Sequence, residues 1–399
     1  MKTTIILILI SLFFAGCHSN SKLETIPVID VGNVVGTGNI LNLSDFADSI
    51  HYVKLNTTEN NLITYASQFS YEDELFFFLD TESVVKLYNK DGTFKQNIGK
   101  LGQGPEEYPF CTGFDYFPGL NEILLHGSQS FLFYDLEGNF KRRIKLYENN
   151  TNRRSISLYQ KVLYFNPTTF VSDITSWDNA SYKFLVFEDS LQIIKGLPNN
   201  KPFDKGGKNT RMPNIEDGVM YYYANSIVHY KPYEDTIFTI DKDLNIKEYM
   251  IFDYGKYKYS SMDLSKSIIV SKIQESSGYL FLKFAFGNLA PEPFEDYNDW
   301  GRKTINHFVC GIFDKKTRKL TLLNQARKGE LGFKNDIDGG PSFWPKYVNR
   351  NGEMVSYCQA DEFIEAFEGK ENIPDNVKEI LKNLKDDDNP IIVIAKLKE

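Results

Sequence analysis

Short apolar segments of strand length recur six times along the chain, with turn signals between them. Each segment is rich in aromatic and β-branched residues, which is typical of strands that are buried on both faces. No amphipathic helical pattern interrupts them until residues 360–385, so the pattern excludes a parallel sheet built from alternating strands and helices. The segments are Glu74–Asp80, Glu122–Leu125, Val162–Phe165, Val219–Tyr223, Tyr279–Leu282 and Glu353–Tyr357.

The spacing of these segments is roughly 40 to 74 residues, which leaves room for about four strands in each unit. Second strands follow five of the segments and lead into turns such as Asn89–Gly92, where the Asp-Gly pair permits the positive φ of a tight hairpin. Six such units predict an all-β fold, a six-bladed β-propeller, whose sheets have only short, protected edges.

The sixth unit predicts how the ring closes. After Glu353–Tyr357 come a short helical insert, one further strand at residues 391–394 and the end of the chain, so the outermost strand is missing. Near the other end, Ser49–Leu55 has strand character but no blade of its own. We therefore predict that this N-terminal strand closes the last blade.

The first sixteen residues have the form of a secretory signal. Lys2 precedes an apolar run that is too short to predict a membrane-spanning helix and ends at two small residues before Cys17. This ending resembles the bacterial lipoprotein box, which implies that Cys17 is acylated; the alternative is a plain secretory signal that contains a Cys. We expect a signal peptide over 1–16, a lipid anchor and tether over 17–45, and the propeller over 46–399.

Charge and cysteine usage narrow the classes further. With 45 Lys and Arg against 53 Asp and Glu, the net charge of -8 argues against nucleic acid as a partner, because phosphate binding requires a basic surface. The expected location is the cell envelope, on the periplasmic side or the cell surface. Cys111, Cys310 and Cys358 form no C-x-x-C motif, so buried free thiols are expected, although one pair could form a disulfide.

Three segments resemble a known family. Asp48–Leu55, Ile98–Tyr108 and Asn335–Gly340 are similar to segments of the six-bladed, NHL-like β-propeller lipoproteins that are common in Bacteroidota. The resemblance covers most of the chain after the signal. It implies the fold, whereas it says very little about function.

Most catalytic and cofactor motifs are absent from the sequence. The His residues form no pair at metal-ligand spacing, there is no G-x-S-x-G motif, and Gly99–Gly104 lacks the Lys-Ser/Thr of a phosphate loop. We interpret Gly99–Gly104 as a turn between blades. The calcium-loop pattern that begins at Asp241 has Ile246 in place of its Gly, and Asp336–Gly339 is similarly incomplete. The sequence therefore predicts neither a cofactor nor a metal site.

Long connections point to one face of the disc. In a four-stranded antiparallel blade, alternate connections lie on opposite faces, and the long ones here should share a face. Connections longer than about 12–15 residues in a compact domain are usually functional. The long connections are Gly99–Pro109, Tyr147–Arg154, Asn166–Ala180, Gly196–Asp217, Pro291–Asn306, Gln325–Ser342 and the helical insert at 360–385.

These connections carry the candidate ligand-binding residues. All three Trp lie in or beside them, together with several Arg, and aromatic and Arg side chains are typical of binding hot spots. An alternative is that each Trp merely covers the hydrophobic end of a blade. The candidates are Arg153, Arg154, Trp177, Trp300, Arg302, Asp338 and Trp344.

Two classes of function follow from this pattern. The first is a non-catalytic envelope lipoprotein that binds a glycan, a peptide or a protein partner on the face with the long connections. The second is a metal-dependent hydrolase or lyase of the six-bladed type, lactonase-like, built from carboxylates at the mouth of the channel. The absence of a cluster of His and carboxylates from the sequence favours the first.

Overall fold

The computed structural model describes residues 25–398 except 128–129, 147–158, 175–180, 201–217, 260–265 and 298–301. Six antiparallel sheets of at least four strands are present, numbered here as blades 1 to 6 in chain order, with strands a to d in each. Strand a of every blade contacts strand a of both neighbouring blades, so the six sheets close into a ring around a central axis. The predicted six-bladed β-propeller is confirmed.

The strand bounds are as follows. Blade 1 contains Ala66–Glu72, Leu75–Asp80, Val85–Asn89 and Phe94–Ile98; blade 2 contains Cys111–Phe117, Glu122–Gly127, Ser130–Asp135 and Phe140–Lys145; blade 3 contains Tyr159–Asn166, Thr169–Ile174, Tyr182–Glu188 and Ile193–Pro198. Blade 4 contains Val219–Tyr223, Ser226–Tyr230, Thr236–Asp241 and Ile246–Asp253; blade 5 contains Ile269–Glu275, Tyr279–Ala285, Phe308–Asp314 and Lys319–Leu322; blade 6 contains Tyr347–Val348, Glu353–Cys358, Ile391–Leu397 and Ala47–Lys54.

Four of the six apolar runs fall on strand b, whereas Val162–Phe165 and Val219–Tyr223 fall on strand a. The run in blade 1 is explained by the position of strand b between two other blades. Successive side chains on a strand point to opposite faces, and in a propeller both faces are covered. Phe77 stacks on Tyr116 of blade 2, with ring centroids 5.0 Å apart, whereas Phe78 contacts Tyr357 of blade 6 at 5.6 Å. Both Phe side chains are fully buried. A strand that fills two inter-blade cores in this way needs apolar residues at successive positions.

The N-terminal strand closes blade 6, as predicted. Ala47–Lys54 is antiparallel to Ile391–Leu397, with Ile50 opposite Ala395 and Lys54 opposite Ile391. The two ends of the chain therefore share one sheet.

An additional strand lies outside the predicted set. Val28–Asp30 runs parallel to strand d of blade 4 and makes that sheet five-stranded. Asn39 then pairs with Leu323 beside blade 5 before the chain enters blade 6. The segment predicted as a tether, 17–45, thus includes residues that cover the rims of blades 4 and 5.

One predicted long connection is wrong. Asn166–Ala180 contains strand Thr169–Ile174, every residue of which is buried, so Asn166 and Thr169 are joined only by a tight turn. The polar residues Thr169, Ser172 and Asp173 hide this strand from a search for apolar runs, although all of its residues are buried. A second difference concerns Pro291–Asn306, which includes a two-stranded hairpin of Phe294–Tyr297 and Lys303–Asn306.

The helical insert near the C-terminus is confirmed and comprises helices Ala360–Phe367 and Asp375–Leu381. Short 3-10 turns occur at Gly32–Val34, Leu43–Asp45, Pro118–Leu120, Gly255–Tyr257 and Gly287–Leu289. Within the described ranges, no helix has the length and apolar character needed to cross a membrane.

Candidate functional site

The strand directions define two faces of the disc. Because neighbouring strands of each blade are antiparallel, the a–b and c–d connections lie on one face and the b–c and d–a connections lie on the other. The first, which carries tight turns such as Asn89–Phe94, is called the short-turn face. The second, which carries the hairpin at 294–306 and the helices at 360–381, is called the long-loop face.

The hairpin of blade 5 is an exposed element of the long-loop face. Its strand Lys303–Asn306 is exposed except for Asn306, and the side chain of Ile305 is 48% exposed. Glu295 and Lys303 form an exposed ion pair across the hairpin at 2.8 Å, and Asn306 donates to the Asp296 carboxylate at 2.7 Å. The hairpin therefore exposes the apolar side chain of Ile305 beside the charged side chains of Glu295 and Lys303.

The hairpin belongs to a larger surface formed by blades 5 and 6. Gln325 donates to the carbonyl of Glu292 at the base of the hairpin, at 2.7 Å. Burial raises the pKa of the Glu362 carboxyl at the start of the first helix, and the nearby Asp296 carboxylate adds to the increase. Hairpin, loop and helix thus lie close enough to be contacted by one ligand.

The Gly-rich segment on the same face is a turn between blades 1 and 2, as predicted. Gly99 has a φ of +69°, and the Gly104 amide donates to the Glu107 carboxylate at 3.0 Å. The Tyr108 hydroxyl donates to the Ile98 carbonyl at 3.0 Å, which locks the start of the turn to its end. Leu101 lies within this turn and Phe110 follows it, and their side chains are 39% and 45% exposed.

The candidate residues divide into two groups. Arg302, Asp338 and Trp344 lie within the described part of the chain. Arg302 is exposed at the hairpin. The lipidation candidate and four ligand-binding candidates lie outside the described residues: Cys17, Arg153, Arg154, Trp177 and Trp300.

Trp344 is partly buried and packs against the core. Its ring lies edge-on to Phe281 of blade 5, with centroids 5.8 Å apart, and tilted against Phe333 at 5.3 Å. It adjoins the apolar core that is shared by blades 5 and 6. This packing favours the alternative interpretation for Trp344, that it covers a hydrophobic end.

Asp338 joins two of the segments that carried the family resemblance. One of its carboxylate oxygens accepts hydrogen bonds from the Tyr52 hydroxyl at 3.0 Å, the Asn335 amide at 2.7 Å and the Gly340 backbone at 2.9 Å. Nearby, Asp336 accepts from the backbone and the hydroxyl of Ser44. The Asn335–Gly340 segment thereby fastens the last inter-blade connection to the closing strand.

A buried ionic cluster that the sequence did not predict lies beneath the long-loop face, between blades 3 and 4. Asp173 accepts from His229 Nε2 at 2.7 Å, from Lys231 Nζ at 2.7 Å and from the Gly218 amide at 2.9 Å. A Cβ at Gly218 would collide with this carboxylate. Burial would raise the pKa of Asp173, but the charge of Lys231 and the His229 hydrogen bond hold it below its usual value. His229 is thus a buried structural residue that is hydrogen-bonded to Asp173.

The short-turn end of the channel holds a second polar cluster that was not predicted. Arg350 lies 3.6 Å from the Glu72 carboxylate and covers the ring of Tyr222 at 4.7 Å. Tyr347 also donates to Glu72, at 2.8 Å, and Tyr222 donates to Asp115 at 2.7 Å. Residues of blades 1, 2, 4 and 6 therefore meet at the axis. In the sequence, the run Tyr221–Tyr223 indicates that hydroxyl groups lie on this strand. It does not indicate which residues of other blades accept their hydrogen bonds.

The described residues offer few side chains for metal binding or thiol chemistry. Within these ranges, no group of three or more His, Cys, Asp or Glu side chains is arranged to hold a metal ion. Cys111, Cys310 and Cys358 are free thiols, and burial raises the pKa of Cys111 and of Cys310 to about 12. The expectation of buried free thiols is met at Cys111 and Cys310, whereas Cys358 is only partly buried.

Comparisons with known proteins agree with this architecture. The family described as "Domain of unknown function (DUF4934)" matches residues 26–396. A Bacteroides fragilis protein thought to be exported is similar in structure, with 16% sequence identity, 94% of this chain and 100% of that chain covered, and a TM-score of 0.65. A DUF4221 family member from Bacteroides vulgatus gives 13% identity, coverage of 88% and 97%, and a TM-score of 0.49. Curated protein sequences include no significant match.

Proposed function

Because this chain belongs to the DUF4934 family, whose activity is unknown, we propose a function from its surface: a cell-envelope lipoprotein that binds a protein or peptide partner on its long-loop face without catalysis. One observation carries the proposal. Four of the exposed large hydrophobic side chains lie in connections of the long-loop face, namely Leu62, Leu101, Phe110 and Ile305. Among the described a–b and c–d turns of blades 1 to 5, only Leu120 is exposed to a similar degree, while Ile40, 53% exposed, lies in the N-terminal segment before Ala47–Lys54.

Apolar side chains distributed in this way favour a protein or peptide over a glycan. An exposed Phe or Ile contributes about 1.5–3 kcal/mol when a partner buries it completely. Charged groups surround these residues, as the Lys303–Glu295 pair does beside Ile305, and a polar rim around an apolar centre is the usual anatomy of an interface. A glycan would need aromatic rings for stacking, which Trp177 and Trp300 would supply.

Binding is tested with two variants and a matched control. Peptide and glycan arrays first identify a ligand, and calorimetry then measures its affinity for Phe110→Ser, Ile305→Ser and the control Leu120→Ser. We expect each of the first two to weaken binding about tenfold or more, because about 1.4 kcal/mol corresponds to a factor of ten. Leu120→Ser lies on the other face and should change affinity less than twofold.

Trp300→Ala and Arg302→Ala extend the test to the hairpin tip and should weaken binding similarly. A ligand whose affinity follows Leu120→Ser and ignores the other variants would contradict the proposed face. Turnover of a bound ligand that requires a particular carboxylate would instead support the hydrolase alternative.

The anchor has a separate test. Acylation of Cys17 would place the protein on the membrane, so Cys17→Ala should move it from the membrane fraction to the soluble fraction. Equal membrane association of both forms would show that Cys17 carries no anchor.

A further inference from the structure

The point at which the N-terminal segment reaches the disc is set by its pairing with blade 4. Strand d of that blade, Ile246–Asp253, follows a c–d turn and so runs from the short-turn face towards the long-loop face. Val28–Asp30 is parallel to it, with Val28 opposite Ile251 and Asp30 opposite Asp253. Residues that precede Val28 therefore come from the side of the short-turn face.

A contact with blade 5 confirms this direction. Arg318 Nη1 donates to the Thr25 hydroxyl at 3.5 Å. Arg318 lies in the c–d turn between Phe308–Asp314 and Lys319–Leu322, which belongs to the short-turn face. Thr25 thus lies beside the c–d turn of blade 5, at the boundary between blades 4 and 5.

The distance from Thr25 to the predicted acylation site is limited by chain length. Cys17 precedes Thr25 by eight residues, which span at most about 28 Å when fully extended. The depth of the disc is set by strands of up to eight residues, roughly 26 Å. An acylated Cys17 therefore holds Thr25 within about 28 Å of the membrane, and the surface beside Thr25 is the described part of the protein nearest to the anchor.

The surface beside Thr25 is basic. Lys316, Arg318 and Lys319 are exposed in or beside the c–d turn of blade 5. Asp314 accepts hydrogen bonds from the backbone of Lys316 and Thr317 at 2.8 and 2.9 Å, so its carboxylate is engaged within the turn. In contrast, the c–d turns of blades 1 to 4 each contain an acidic residue: Asp91, Glu137, Asp189 and Asp243.

We infer that the short-turn rim at blade 5 is the membrane-contacting surface of this protein, where Lys316, Arg318 and Lys319 meet anionic phospholipid headgroups. The long-loop face then points away from the membrane and stays open to a partner. Basic side chains next to a lipid anchor supply the second signal that stable membrane attachment requires. This orientation rests on the proposed lipid anchor, whereas the headgroup contact is testable without it.

The first experiment measures the headgroup contact in the full mature chain with Cys17→Ala, using vesicles that contain phosphatidylglycerol at low ionic strength. Each cation near an anionic surface raises partitioning about fivefold. We therefore expect Lys316→Ala and Lys319→Ala each to lower partitioning about fivefold, and the exposed Lys90→Ala, in the c–d turn of blade 1, to leave it unchanged. Equal effects of Lys90→Ala and Lys316→Ala would overturn the assignment of the basic turn.

The second experiment measures orientation in the acylated protein reconstituted into the same vesicles. A fluorophore is attached through Lys316→Cys or Ile305→Cys, and quenchers are attached to lipid headgroups. We expect strong quenching at residue 316 and little at residue 305; stronger quenching at residue 305 would overturn the orientation. Failure of the wild-type chain to float with vesicles would instead show that the anchor itself is absent, and the orientation would fall with it.

Discussion

Asp115 and Asp173 are both buried aspartates, yet their pKa values move in opposite directions. Asp115 of blade 2 accepts hydrogen bonds from the Tyr164 amide at 2.8 Å and the Tyr222 hydroxyl at 2.7 Å, both neutral donors. Burial outweighs them and raises the pKa of Asp115 to about 6. Asp173 of blade 3 loses the same hydration but contacts Lys231 directly, and its pKa stays below the usual value.

The difference shows what each cluster does for the fold. A buried carboxylate that touches a cation is held as an ion pair, so removing either partner leaves an uncompensated charge. A buried carboxylate with only neutral donors gains a proton more readily, and Asp115, with a pKa of about 6, becomes neutral in mildly acidic solution, so its removal leaves no buried cation without a partner. The Asp173 cluster therefore holds blades 3 and 4 together as an ion pair, whereas Asp115 binds or releases a proton as the pH changes.

The largest effect is expected for Asp173→Ala. Without the carboxylate, Lys231 is left buried beside a neutral His229, which should cost about 3–5 kcal/mol of the free energy of unfolding. Urea denaturation at pH 7 measures this value. The exposed pair of Lys90 and Glu74 provides the control, because Glu74→Ala should cost less than about 1 kcal/mol. Equal losses would contradict the structural role of the cluster.

An intermediate effect is expected for Lys231→Met. His229 is then the remaining side chain in contact with Asp173 that can carry a positive charge. Burial and Lys231 both lower the pKa of His229 in the wild type, so removing the Lys231 charge should let His229 bind a proton more readily. We expect a loss of about 2–3 kcal/mol at pH 8 and a partial recovery at pH 6, measured by urea denaturation. A loss that grows as the pH falls to 6 would exclude this coupling.

A smaller effect is expected for Asp115→Asn. Unlike the two substitutions above, it should make the protein more stable relative to the wild type as the pH rises. The Asn side-chain oxygen can accept both hydrogen bonds that Asp115 accepts, while the variant has no proton to exchange. Because the folded pKa of Asp115 is raised to about 6, wild-type stability falls as the pH rises from 4 to 7. Relative to the variant, this decrease should be on the order of 2 kcal/mol. A flat difference across that range would mean that Asp115 stays ionised.

The smallest effect is expected for Tyr222→Phe. The hydroxyl donates to Asp115, and its loss should cost about 1 kcal/mol, the net contribution of one hydrogen bond. The loss also removes an interaction that lowers the pKa of Asp115, so the pH dependence described above should shift to higher pH. Stability curves of the single variants and the double variant with Asp115→Asn would show this coupling directly.

The sequence predicted the repeating part of this molecule because that part depends on local patterns. Continuous apolar runs identified strands such as Leu75–Asp80, and Asp-Gly turns identified the hairpins. The unpaired strand before residue 55 and the incomplete sixth unit together predicted the closure, which the pairing of Ile50 with Ala395 confirms. The pattern missed strand Thr169–Ile174, because Thr169, Ser172 and Asp173 interrupt its apolar character although the fold buries all of its residues.

The candidate site was predicted less completely because side-chain burial depends on distant contacts. Trp344 looked like an exposed anchor in a long connection, but Phe281, more than sixty residues earlier, packs against its ring. Asp338 looked like part of a loop motif, but Tyr52 of the closing strand donates to it. Arg302 is exposed at the hairpin, and its role in binding stays a prediction.

Hydrophobic patterning, turn chemistry and the lipoprotein-like ending at Cys17 are properties of neighbouring residues, so the blade count, the closing strand and the expected anchor could be inferred from the chain alone. The partners of Asp115, Asp173 and Arg350 come from other blades and are brought together only when the ring closes. The position of Thr25 beside Arg318 likewise depends on how Val28–Asp30 pairs with blade 4. Long-range packing decided these contacts because no local pattern encodes which blades become neighbours across the axis or which face receives the N-terminus.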